Sequence, residues 1–171
     1  MSLRLPADAL VVLVGPSGAG KSTFAARHFA PTQVLSSDAM RAMVADDASD
    51  QTATDAAFEL LHAALGMRLA RRLVTVVDAT NVEAWARERL LAVARRHGRT
   101  AAAIVFDLPL ATCLQRNAAR ADRHLPMAAI RRQHARMRAS LDGLGEEGFT
   151  SIAVLSTASS VESVRVDLTS A

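Results

Sequence analysis

The chain has 171 residues, half of them hydrophobic and 4% aromatic, and a formal charge of +3 from 20 basic and 17 acidic side chains. That length and apolar content suit a single domain over residues 1–171 with a real core, and exclude the disordered class. One cysteine, Cys113, excludes an internal disulfide; no apolar stretch reaches membrane-spanning length, and the N-terminus lacks the layout of a secretion signal. The expectation is a protein of the reducing cytosol, cytoplasmic and with no membrane partner.

Residues 9–14 are a continuous apolar run ending at Gly15-Pro16-Ser17-Gly18-Ala19-Gly20-Lys21-Ser22, which fits G-x-x-x-x-G-K-[ST]. A strand-like run before it and a helix-like run after it supply the context this phosphate-binding motif requires. The glycines let successive N–H groups curl inward toward phosphate oxygens, and the helix that follows adds its N-terminal partial charge. Gly15 through Thr23 are therefore the candidate nucleotide-binding residues. Lys21 is expected to reach the β- and γ-phosphates of ATP or another nucleoside triphosphate, and Ser22 to place its hydroxyl on Mg²⁺. Lys21 is also the only lysine among the 20 basic residues. A chain that otherwise uses arginine keeps lysine where a compact, flexible point charge is needed.

Residues 23–29 read as a short helix stopped by Pro31, and 33–35 as a brief strand leading into Ser36-Ser37-Asp38. Residues 38–44 then read as a helix capped by Ser36 or Ser37, and 46–52 as a polar loop. Asp38 and Arg41 lie three apart and so share a helix face. An acid to accept a hydroxyl proton beside a cation to hold a substrate phosphate is what phosphoryl transfer to an alcohol requires. The plainer account of Asp38 is a carboxylate favoured by the helix dipole.

Residues 54–72 carry Phe58, Leu61, Leu65 and Leu69 at helical spacing, predicting a long amphipathic helix. Residues 73–77 are apolar and β-branched, a third strand ending in Asp78, where a carboxylate can hold Mg²⁺ through water. Residues 80–83 have capping-box form and open a helix over 83–97 that Gly98 stops; capping alone accounts for Thr80, and Asn81 is as ambiguous. A fourth strand over 100–106, a helix over 110–120 and a connector over 121–125 follow. Pro126, at the first helical position, opens a further helix to about residue 141. A last strand is expected over 152–155. Ser159 and Glu162 suggest a capping box before a terminal helix with Val161, Val164 and Leu168 inward, although Val164, Val166 and Leu168 also alternate as a strand would.

This alternation gives an α/β domain, a P-loop NTPase fold whose parallel sheet has helices on both faces. Ligands of such sheets lie outside the carboxyl ends of the strands. The phosphate loop, Asp38 and Asp78 follow the first three strands. Arg116 and Arg120, four apart on one helix face, come one helix after the fourth, with Arg123 just beyond. Arginines beside a nucleotide can stabilise the charge on the transferring phosphoryl oxygens. Residues 61–141 carry 15 basic and 5 acidic side chains between acidic ends, which suits a polyanionic ligand as well as it suits solvated helix faces. Arg131, Arg132, Arg136, Arg138 and His134 read as such a solvated face. The histidines show no metal-ligand spacing, and Cys113 reads as a small core residue.

Gly15 to Ser22, Ser36-Ser37-Asp38 with Arg41, Val77-Asp78-Ala79-Thr80-Asn81 and Arg116-x-x-x-Arg120 together resemble the kinase module of the polynucleotide 5′-kinase/3′-phosphatase family, above all its bacterial end-healing branch. The likeness covers nearly the whole chain and extends to Asp46-Asp47 with Asp50-Gln51 and to Ile130-Arg131-Arg132-Gln133. It implies an adenylate-kinase-like fold that moves the γ-phosphate of a nucleoside triphosphate to the 5′-OH end of DNA or RNA. It further implies that Asp38 is the general base, Arg41 a substrate-phosphate ligand, and Arg116 and Arg120 ligands of the donor phosphates. Lys21, Asp38, Arg116 and Arg120 are thus the candidate catalytic residues, with Asp38, Arg41, Gln51, Asp78 and Asn81 on the acceptor side and Ser22 and Asp78 at the metal. Family members often carry a phosphatase and sometimes a ligase domain after the kinase, the expected end-healing partners. This sequence ends at Ala171, as a free-standing paralogue or an excised domain would. Two other readings are a small-molecule kinase of the same fold, acting on a nucleoside, sugar or antibiotic hydroxyl, and a nucleotide-binding module without catalysis. The short connector speaks against the first, and Asp38 with Arg41 against the second.

Overall fold

The computed structural model describes residues 1–120 and 125–170. A strand the sequence did not announce comes first, β1 (Ser2–Pro6). The main sheet is then built from β2 (Leu10–Val14), β3 (Val34–Ser36), β4 (Thr75–Asp78), β5 (Ala101–Phe106) and β6 (Ser151–Leu155), all parallel, in the order β3-β4-β2-β5-β6. Strand β2 is apolar throughout because it is central and covered on both faces. Its alternate residues face opposite ways. Leu10, Val12 and Val14 pack with Leu61, Leu65 and Leu69 of α3 (Thr54–Ala70) and with Leu90, Leu91 and Ala94 of α4 (Ala84–Arg96). Val11 and Leu13 pack with Phe24 of α1 (Lys21–His28), Cys113 of α5 (Leu110–Ala118) and Val161 of α7 (Ala158–Ser163). The chain leaves β2 toward β3 and β4 on one side, then crosses to β5 and β6 on the other. The loop after β2 therefore lies where the strand order reverses, the place where open α/β sheets bind ligands.

Two helices complete the layers, α2 (Ser37–Ala45) and α6 (Met127–Ser140). The cap of α2 is Ser36, whose hydroxyl accepts from the Ala39 amide at 3.4 Å. Pro126 precedes its helix as the cap residue and is not its first residue.

Three expectations are corrected. The terminal helix stops at Ser163, and Arg165–Thr169 form β7, paired in parallel with β1 as a separate two-stranded sheet. Val161 and Val164 are buried as expected, but Leu168 is 40% exposed, because the alternation there is that of a half-covered strand. The capping pair before α7 is Thr157 with Ser160, each side chain bonding the other's backbone amide, and Ser159 with Glu162 do not form it. Residues 80–83 form no capping box either. Asn81 adopts a left-handed turn, and α4 starts only after Glu83, which caps it without a side-chain bond. In addition, α5 ends at Ala118, which puts Arg120 in the turn beyond it. Remaining boundaries fall within about two residues of those expected, as helix and strand ends commonly do. Residues 121–124, with Arg123, lie outside the described residues.

Candidate active site

The loop from β2 to α1 ends at Gly20, which caps α1 in the left-handed region at φ 97°, where a side chain is disfavoured. Lys21 is the first helical residue. Its ammonium is buried and donates to the carbonyl oxygens of Gly15 and Pro16, both at 2.9 Å. Burial lowers the Lys21 pKa, against the opposing pull of Asp78, Cys113 and Asp38. Asp78 ends β4 directly opposite Leu13 of β2 and Ser36 of β3. Burial raises its pKa, while Lys21 and a hydrogen bond from Ser22 act the other way. Ser22 and Asp78 are thus close neighbours, two hard oxygen donors of the kind Mg²⁺ takes when phosphates and waters complete its shell. Among the described residues no group of three His, Cys, Asp or Glu side chains forms a metal cluster, so an ion here depends on the phosphates it would bridge.

On the β3 side, Arg41 of α2 is buried, pairs with the Asp38 carboxylate through Nη1, and donates from Nε to the Thr54 hydroxyl at 3.3 Å. The Asp38 side chain remains 42% exposed. The buried cation therefore orients a part-exposed carboxylate. On the β5 side, Nη1 of Arg116 lies 3.2 Å from the position a Cβ on Gly20 would take, directly over the loop. Arg120 is close enough to act electrostatically on both Lys21 and Asp78.

One cleft of about 660 Å³ joins these groups. Lys21, Ser22, Thr23, Asp38, Arg41, Gln51, Asp78, Asn81, Arg116 and Arg120 all line it, with Ser17, Gly18 and Gly20 from the loop. Gly15, Pro16 and Ala19 are buried behind that wall. Asn81 braces the floor of the cleft. Its side-chain amide donates to the carbonyls of Leu13 at 2.8 Å and Val77 at 3.4 Å, tying β2 to β4 beneath the loop. Its own carbonyl accepts from Arg87, whose fully buried guanidinium forks onto Glu147 at 2.7 and 2.5 Å. The Thr80 carbonyl accepts from the Gly15 amide at 2.9 Å. Gln51 donates to the Ser49 carbonyl at 3.1 Å from an exposed 3₁₀ turn.

Several residues of the site had no role assigned from the sequence, among them Gln133, which entered only within the likeness over residues 130–133. Gln133 of α6 accepts from the Ser17 amide of the loop at 2.9 Å. Thr54 fixes Arg41, and Phe58, expected in the core, lines the cleft instead because Ala57 takes the buried position one residue earlier. Buried Asn117 clasps both the amide and the carbonyl of Leu125. Trp85 stands on the cleft wall with 65% of its surface exposed. A lone tryptophan two residues past the capping position was the one readable signal.

A chain in the structure of the Pnkp1/Rnl/Hen1 RNA repair complex is 22% identical, over 82% of this chain and 47% of that one, with a TM-score of 0.68. This chain therefore spans about half of that chain's length. A gluconokinase from Sinorhizobium meliloti 1021 is 21% identical over 90% of this chain and 85% of that one, with a TM-score of 0.56. Shikimate kinase from Acinetobacter baumannii, in complex with shikimate, is 19% identical over 90% and 87%, with a TM-score of 0.53. No curated protein matches the chain. These likenesses show the fold, which is that of P-loop kinases. The model of the AAA domain family AAA_33 matches residues 10–144, from β2 to beyond α6, and the chain therefore belongs to that family.

Proposed function

We propose that this protein is an ATP-dependent kinase that moves the γ-phosphate of a nucleoside triphosphate to the 5′-OH end of a DNA or RNA strand. The observation that carries this reading is the Asp38–Arg41 pair, which lines the same cleft as the phosphate loop, with the carboxylate part-exposed and the guanidinium held by Thr54. In the reaction the acceptor oxygen attacks the γ-phosphorus and the bond to the β-phosphate oxygen breaks. Asp38 takes the hydroxyl proton as this happens. Lys21 exchanges the carbonyls of Gly15 and Pro16 for phosphate oxygens, which restores a counter-charge to a buried ammonium. Arg116 and Arg120 reach over the loop to the developing charge, and Arg41 holds the phosphate on the 3′ side of the acceptor nucleoside. Ser22 and, through water, Asp78 would hold Mg²⁺, whose charge would offset that of the phosphate oxygens.

The RNA repair complex among the structural neighbours supports a nucleic-acid acceptor, with phosphatase and ligase activities as end-healing partners. A buried free cysteine suits the reducing cytosol as its compartment. A small alcohol as acceptor is favoured by one observation, the near-complete coverage of the gluconokinase and shikimate kinase folds. Radiolabelled phosphate transfer to 5′-OH oligonucleotides, nucleosides and sugars decides between them. Efficient labelling of a neutral sugar with none of the oligonucleotides would overturn the first reading. Full turnover in Lys21→Ala would overturn both.

A further inference from the structure

Trp85 is the only tryptophan of the chain, and the structure leaves 65% of it in solvent although it has a large core available. An aromatic ring of that size is ordinarily well buried, and one left exposed on a cleft wall has binding as its natural use. Its position is specific. Helix α4 follows β4, the neighbour of β3, so Trp85 stands on the half of the cleft that holds Asp38 and Arg41 and not beneath the arginines of α5. One turn further along α4, on the same face, Arg89 is exposed and makes no ion pair among the described residues. Two acids of this stretch are already matched, Glu83 with Arg136 and Glu88 with Arg95, and Arg89 acts electrostatically on His62 of α3. One turn outside the cleft lining there is therefore a cation in no ion pair among the described residues, on the same helix face as the exposed ring of Trp85.

We propose that Trp85 and Arg89 form a track along which the acceptor strand leaves the cleft, Trp85 stacking on a base beyond the reacting end and Arg89 meeting a phosphate of the strand. This rests on the polynucleotide reading and extends it from the terminal nucleoside to the strand behind it. A stacking aromatic joined to a basic groove is how single strands are held without reading their sequence.

The single tryptophan, in a chain with no tyrosine, is its own reporter. A 5′-OH hexanucleotide added without nucleotide triphosphate should quench the fluorescence, whereas a nucleoside 3′-phosphate, which reaches only Arg41, should not. In steady-state transfer, Trp85→Ala should raise KM for the hexanucleotide by about 5- to 150-fold, the range of one lost stacking contact, with a far smaller change for the nucleoside 3′-phosphate; Trp85→Phe should recover most of the loss. Arg89→Ala should lower the slope of log affinity against log salt by about 0.7, the share of one single-strand phosphate. If the wild type phosphorylates the hexanucleotide but shows no quenching, and Trp85→Ala matches it, the track is wrong and the kinase reading stands. If the wild type phosphorylates no 5′-OH strand, the polynucleotide reading itself falls and takes the track with it.

Discussion

The main-chain carbonyl oxygen of Cys113 lies 2.3 Å from the place a Cβ on Gly18 would occupy. Helix α5, which carries Arg116, is thereby seated against the phosphate loop at a point where only glycine fits, and φ at Gly18 is 81°, the left-handed region. Gly18→Ala should separate loop from helix. The backbone strain alone costs about 1–2 kcal/mol, and the collision involves backbone on both sides and has no flexible side chain to yield. A lower Tm and at least about tenfold weaker nucleotide binding, measured by melting and titration, are expected.

Asp38 can be tested without disturbing its neighbour, because an asparagine amide oxygen still accepts from Arg41. Asp38→Asn should bind ATP as the wild type does and lose roughly 10²–10⁴-fold in kcat, the contribution of a general base. An unchanged kcat removes the proton-accepting role.

Arg41 separates acceptors by charge. Arg41→Ala should penalise a nucleoside carrying a 3′-phosphate by roughly 10–150-fold in kcat/KM, the worth of one charged hydrogen bond, and an uncharged alcohol much less. Equal losses on both would confine Arg41 to orienting Asp38.

The buried carboxylate of Asp78 ties stability to pH. Its pKa is raised above the ordinary 3.8 by burial, so above that pH the unfolded chain releases this proton before the native state does. The native state then binds more protons, and stability falls as pH rises through the window between the two values. Asp78→Asn should abolish that part of the slope: its Tm relative to wild type should climb as pH rises above 3.8 and then level. The test reads the slope, since the pull of Lys21 on the ionised carboxylate is already contained in the net upward shift. Parallel Tm profiles would show that Asp78 does not titrate there.

Arg87 and Glu147 predict stability and not chemistry. The guanidinium is fully buried, and Glu147 is its only acidic partner among the described residues. Glu147→Ala leaves a buried charge unmatched, which costs about 3–5 kcal/mol when one member of such a pair is removed. Denaturant unfolding should show that loss. Phosphoryl transfer below the transition should suffer only modestly, through the Asn81 carbonyl that Arg87 holds.

Much of this cleft could be read from the chain because its parts sit next to strong local signals. The phosphate loop and Lys21 follow a five-residue apolar strand, and Asp38 with Arg41 follow a serine cap, so spacing alone places them at one end of the sheet. The strand pair β1 and β7 could not be read, because Ser2 and Arg165 meet across nearly the whole sequence and each strand is only half covered. Residues 80–83 misled for a related reason. They have the composition of a helix cap, but Asn81 spends its amide on carbonyls of two strands, one of them 68 residues away. Gln133 and Thr54 matter through what the fold sets beside them, which no spacing along the chain marks, and Trp85 shows only as a lone tryptophan just past a helix cap.

The order of the sheet also bears on how the chain is made. Strand β2 carries the phosphate loop and comes early, yet Leu10 finds its neighbours only at Thr75 and Ala101. At about 5–20 residues per second of synthesis, at least 3–13 seconds pass between Leu10 and Thr75. Through that interval Leu-Val-Val-Leu-Val stands with both edges unpaired, in the form other strands most readily join. The strand that carries the phosphate loop thus stays open to such pairing until Thr75 has been made.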